Sequence, residues 1–200
     1  MDTTSPGELM AGTAVRMTKT DRRSQLLDVA ATLVVERGPA AVTIERVAAE
    51  AGVSRALAYQ HFANADDVLV ALYRREVAGL ADAILAAVAR RAEPEAKLRA
   101  AIGTFLDIVG ARHGLFTVLS AAGSHVPTAA DDGTRAGQRF TAALFEDSFG
   151  LPPRRARVAA ALLLGTLNGG VEALAAGELR RGEVERSALE VALVLIGDRS

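Results

Sequence analysis

Two hundred residues, half of them apolar, are enough to bury a core, and they suit one medium domain or a small module attached to a larger one. Aromatic residues make up only 4%, Trp and Cys are absent, and alanine and leucine dominate, so the balance favours an all-α chain. The missing Cys excludes disulfides, thiolate metal sites and cysteine nucleophiles, and a net charge of -1 leaves any case for nucleic acid to local clusters.

Residues 1–20 hold Arg16 and Lys19 but no apolar run of about seven residues, so they read as a flexible N-terminal arm rather than a secretory signal. Arg16, Lys19, Arg22 and Arg23 form a basic cluster, open equally to two readings: a solvated leader, or an arm that touches phosphate or enters a minor groove. From about Asp21 to Arg37, Leu26, Val29, Ala30, Leu33 and Val34 form one helical stripe that stops at Gly38-Pro39.

Thr43 then stands before Ile44, Val47, Ala48 and Ala51, which share a face at helical spacing. Gly52 suits the left-handed residue that ends such a helix, and Ser54 can cap the next. Two short helices and this turn make the outline of a helix-turn-helix. The three helices can enclose a small core of Leu26, Ala30, Leu33, Ile44, Val47, Ala48, Ala58 and Phe62.

After the polar interruption Ala63-Asn64-Ala65, Asp66 and Asp67 favour a helix start. That fourth helix should run through Val68, Leu69, Leu72, Val77, Leu80 and Ile84 towards Arg91, nearly 40 Å at about 1.5 Å per residue. It is the natural lever between a head and a body. Further helices are expected from Pro94 to about Ala111, from about Leu115 to Ala122, from about Asp131 to Phe149, over Arg154 to Ala176 and over Glu183 to Ile196, with a loop at 123–128. The total is about nine helices, divided as an arm (1–20), a helix-turn-helix domain (21–65) and a helical body (66–200).

The window Val158 to Gly177 is apolar and about long enough to span a bilayer, but Asn168, Glu172 and four glycines favour a buried helix of a soluble protein, expected to be cytoplasmic with no membrane partner. Leu189, Val191, Ala192, Leu193, Val194, Leu195 and Ile196 cover nearly every face of the last helix, which a second copy of the chain would bury more easily than its own domain. Small residues nearby allow close approach, so Ala161, Gly165, Leu189, Leu193 and Ile196 are the expected dimer interface. Phe105, Phe116, Leu119, Phe140, Leu144, Leu164 and Asn168 are pocket candidates, being apolar residues on central helices with one amide to orient a ligand. Such a lining fits an uncharged or weakly polar hydrophobic effector.

Residues 21–73 closely resemble the N-terminal DNA-binding domain of the TetR family of transcriptional regulators. The resemblance rests on Leu26, Leu27, Ala30 and Gly38, the run Thr43 to Ser54, and Tyr59 to Phe62. It covers about a quarter of the chain; the rest is similar to the family only in organisation. The resemblance implies that the helix after Gly52 enters the major groove and presents Arg55, Ala56, Leu57 and Gln60. Arg55 suits guanine or phosphate, Gln60 adenine and Leu57 a thymine methyl. It implies phosphate contacts from Thr43, Ser54, Tyr59 and His61. Three residues depart from the family pattern: Leu57, Ala58, and Ala65 where a phosphate-binding lysine is common.

The resulting expectation is a homodimeric repressor, released from a palindromic DNA operator by a small-molecule ligand. It is neither an enzyme nor a cofactor protein: His61, His113 and His125 are scattered, and no metal-ligand spacing or phosphate-cradling loop appears. The alternative is a dimeric ligand-binding module without DNA-binding activity.

Overall fold

The computed structural model describes residues 17–112, 115, 116, 119 and 126–197, with no side-chain description at 126–130. Among these there are eight α-helices: α1 (Lys19–Arg37), α2 (Ile44–Glu50), α3 (Arg55–Tyr59), α4 (Ala65–Ala89), α5 (Pro94–Ala111), α6 (Val126–Phe149), α7 (Pro153–Ala175) and α8 (Arg181–Gly197). The short helix expected over 115–122 lies largely outside the described residues, of which Leu115, Phe116 and Leu119 are helical.

Local chemistry fixes the ends of these helices. Thr18 and Asp21 form a reciprocal capping box that starts α1 at Lys19, two residues before the expected start. Asn64, read from sequence as part of an interruption, caps α4 by accepting from the Asp67 amide at 2.8 Å. Pro153 opens α7 in its first turn, one residue before the expected start. A proline there sacrifices no intrahelical hydrogen bond. The described part of α6 already runs from Val126, ahead of the start expected near Asp131 and into the expected loop.

Two apolar clusters fill the molecule. The first joins α1, α2, α3 and the first half of α4, with Phe62, Leu26, Leu33, Val47, Val68 and Leu72 fully buried. It does not end at residue 65, because Tyr73 on α4 and Leu115 and Leu119 belong to it. The second joins α5, α6, α7 and α8 around Leu98, Ile102, Phe145, Ala160 and Ala188. The helices α4 and α6 pack together, so α4 contributes to both halves. Close approach requires glycine at one position and is tight at a second. A Cβ on Gly170 would collide with Val184 of α8, and one on Gly133 would stand 3.2 Å from the Tyr73 hydroxyl.

Polar bonds bind the same seams. Arg75 of α4 reaches Asp28 of α1 at 2.7 Å and its neighbour Glu76 at 3.0 Å. Glu76 also pairs with Arg112, at the end of α5. Glu76 is 7% exposed, so these two guanidinium groups supply the charge and hydrogen bonds that its burial demands. Sequence reading overlooked Glu76, although its position seven residues after Leu69 places it on the buried stripe of α4.

Candidate nucleic-acid interface

The helix-turn-helix is built by caps and a turn. The Thr43 hydroxyl accepts from the Arg46 amide at 3.1 Å, and the Ser54 hydroxyl accepts from the Leu57 amide at 3.2 Å. Between them Gly52 adopts φ +67°, a conformation that a side chain would strain, and the Val53 amide bonds to the Ala48 carbonyl at 2.9 Å. Thr43 and Ser54 themselves are exposed. Their hydroxyls are engaged as caps, yet each keeps a donor for a further acceptor.

The second helix, α3, is only five residues long, and Gln60 already forms its C-terminal cap. Arg55, Ala56, Tyr59 and Gln60 are exposed, whereas Leu57 is half-buried and Ala58 and Phe62 are buried. The expected groove readers therefore share the outer side of one short element. Leu57 divides its surface between solvent and protein beside the small Ala58, as a residue partly turned inwards would.

Tyr59 is 50% exposed, and its hydroxyl donates to Glu45 Oε1 at 2.9 Å, bridging α3 to the first turn of α2. A bond to its own backbone amide, and then the Tyr59 hydroxyl, hold the Glu45 carboxyl below its ordinary range. The same contact pushes the Tyr59 phenol up, so it stays protonated and remains a donor. Glu45 was not singled out from sequence, because fourteen residues separate it from its partner and neither side chain has a pattern that announces the other.

His61 follows the end of α3 and is half-buried, with a buried Nδ1 that finds no hydrogen-bond partner among the described residues. Burial first, then the nearby charges of Lys19, Arg23 and Arg22, keep its imidazole below the ordinary pKa and hence neutral near pH 7.

The other expected sites are dispersed. Phe105, Phe116 and Leu164 pack against the body cluster, Leu144 is buried, Phe140 is half-buried, and Leu119 belongs to the head cluster. Asn168 is exposed on α7 rather than turned in among them. A described groove of about 450 Å³ lies instead between α1 and α4, lined by Arg23, Leu27, Val70, Arg74 and others. Of the expected dimer residues, Ala161, Gly165 and Leu193 are exposed, whereas Leu189 is buried within the chain and Ile196 packs on its core. Exposed Val158 and Leu162 on α7 and Val194 on α8 extend that open surface. The helices α7 and α8 run antiparallel, since Arg155 donates to the Leu195 carbonyl at 3.2 Å while Gly170 meets Val184. Residues 158–162 and 193–194 therefore lie at the same level. Helix α7 is long and apolar enough to cross a membrane by length and composition, with 28% of its most apolar window buried.

Comparison with known proteins agrees with this geometry. The chain is 33% identical over 94 residues to the HTH-type transcriptional activator FasR of Mycolicibacterium smegmatis, covering 47% of this chain and 43% of FasR. It is 31% identical over 100 residues to the HTH-type transcriptional repressor KstR2 of Rhodococcus jostii, covering 50% and 49%. These matches span less than half the length of either relative. Its fold matches that of the transcriptional regulator FadR from Bacillus subtilis, solved in complex with stearoyl-CoA. The TM-score is 0.68 at 16% identity, over 88% of this chain and 99% of that one. Residues 26–72 match the profile of the bacterial regulatory proteins of the tetR family, so the head of this chain, α1 to the first half of α4, is similar to that family's N-terminal domain.

Proposed function

We propose that the chain is a homodimeric, DNA-binding transcriptional regulator that reads a palindromic operator through α3. A small molecule in its helical body, on this reading, releases it. The observation that carries this is the arrangement of α3: Ser54 caps it, Ala58 and Phe62 anchor it from behind, and Arg55, Ala56, Tyr59 and Gln60 face outwards. A guanidinium and an amide on the outer side of a helix match the donor and acceptor pattern of base edges in a major groove.

Dimerisation is supported by the open apolar stripe of α7 and α8, where Val194 is 70%, Val158 54% and Leu162 51% exposed. A surface of that kind is characteristic of association. Two heads related by a two-fold axis would meet half-sites about one helical turn, or a multiple of it, apart. A hydrophobic effector is supported by the apolar body; FadR, on the same fold, was solved with stearoyl-CoA, whose acyl chain is apolar but whose CoA moiety is polyanionic rather than weakly polar. We assign the sign of regulation as repression, the sense of KstR2 though not of FasR. The proposed division is an arm at 1–20, a head at 21–65 and a body at 66–200, in a cytoplasmic protein.

Selection of bound duplexes from a random DNA pool, with and without stearoyl-CoA as the probe effector, tests the reading. A partly palindromic sequence preferred over scrambled duplex is expected, with retention lowered by the acyl-CoA. Recovery of no preferred sequence would overturn it in favour of a ligand-binding module without DNA-binding activity.

A further inference from the structure

Beside the helix-turn-helix, the first two turns of α1 carry Lys19, Arg22 and Arg23 against a single carboxylate, Asp21, which is turned back to cap the helix through Thr18. Neighbours on the head orient the two arginines. Arg22 donates to Gln25 Oε1 at 2.6 Å, and Gln25 in turn donates to the Ala51 carbonyl at 3.2 Å, immediately before Gly52 of the turn. The Arg23 guanidinium lies 4.7 Å above the Phe62 ring. Lys19 is exposed. Gln25 and Phe62 are neutral, so these contacts aim the cations without cancelling their charge. Arg22, joined through Gln25 to the carbonyl before the turn, and Arg23, over the ring that follows α3, stand beside the surface that α3 presents, with Lys19 one turn back on the same helix.

The neighbouring helix start has the opposite sign. The first turn of α4 carries Asp66 and Asp67, with the Asp67 carboxylate accepting from the Ala63 amide at 3.1 Å. Asp67 shares its groove with Arg23, Arg74 and Arg75, so the acids lie on the α4 side of a mixed groove, whereas Lys19 and Arg22 lie outside its lining.

We infer that Lys19, Arg22 and Arg23 form a phosphate-binding flank of the DNA interface, anchoring the duplex backbone on α1 rather than on α4. This rests on the DNA-binding reading above. The flank positions the head on any sequence, and α3 reads the bases.

The test measures binding of the full chain across a NaCl series, to the duplex returned by selection and to a scrambled duplex of the same composition. Wild type is compared with Lys19→Gln, with the triple Lys19→Gln/Arg22→Gln/Arg23→Gln, and with the control Arg99→Gln on α5, an exposed guanidinium paired with Glu95 at 2.9 Å. Each lost contact should flatten the slope of log affinity against log salt by about 1. It should weaken both duplexes by the same factor and leave their ratio unchanged, with the control matching wild type. Lys19→Gln carries the measurement if the triple variant fails to fold, because Lys19 is exposed. Slopes equal to wild type in Lys19→Gln, together with retained preference for the selected duplex, overturn the inference alone. Absence of that preference in wild type overturns the DNA-binding reading and this inference with it.

Discussion

The head and the paired helices α7 and α8 handle apolar residues in opposite ways. In the head, two short helices and two long ones converge so closely that Phe62, Leu26, Leu33, Val47, Val68 and Leu72 are each at most 2% exposed. Along α7 and α8 one face packs inwards through Ala160, Leu163, Leu167 and Ala188, while Val158, Leu162, Leu193 and Val194 remain on the outside. The head satisfies its hydrophobic requirement within one chain; the last two helices leave theirs open. A single sequence thus carries a self-contained element and an incomplete one, and the incomplete one is where a partner is expected.

The comparison can be broken most severely at Phe62. Phe62→Ala should cost about 3–5 kcal/mol, read from the midpoint of urea unfolding. It should cost as much in a variant whose open stripe has been made polar, since the head core is internal to one chain. A loss below about 1 kcal/mol would mean that the head is not held by that ring. Next in size is the open stripe. Leu162→Glu combined with Val194→Glu should convert a dimer into a monomer in sedimentation velocity, with each protomer's helical circular dichroism retained, as expected where interface positions are exposed in the single chain. An unchanged sedimentation coefficient would remove the contrast between closed head and open pair.

The smallest effect concerns His61. Its folded pKa is depressed, so as pH falls below the ordinary value of 6.5 the unfolded chain takes up the proton first, and stability declines until the depressed pKa is passed. His61→Gln should flatten the thermal midpoint against pH in that window and leave it unaltered near pH 8. An identical slope in both proteins would show that other groups carry the dependence.

The same contrast explains what could be read from the sequence. Caps and turns act over three or four residues, and so Thr43, Gly52, Ser54 and the core of Leu26, Val47, Ala58 and Phe62 were legible without a structure. Local signals are also present at Thr18-Asp21 and Asn64-Asp67, each a side-chain oxygen three residues ahead of the amide that it caps. Long-range pairings left no such trace. Tyr59 with Glu45, Gln25 with the Ala51 carbonyl and Arg75 with Asp28 follow from how the helices meet. The body was legible as helices but not as faces, since a sequence rich in Ala, Leu and Val offers several stripes of nearly equal apolarity. Leu189 faces inwards and Leu193 outwards, although both looked like interface residues.

The hydrogen bond between Tyr59 and Glu45 bears on how a head of this kind would recognise a polyanion. In the free protein the carboxylate occupies the phenol as a resident anion, keeping one rotamer of an exposed side chain populated before any encounter. Arrival of a phosphate would then exchange one acceptor for another, with little net enthalpy from that donor and little ordering entropy left to lose. Tyr59→Phe should accordingly weaken binding only modestly. Glu45→Gln keeps an acceptor for the phenol while removing the charge that an incoming phosphate must displace, so it should tighten binding, and the native carboxylate would act as a placeholder for the anion it yields to.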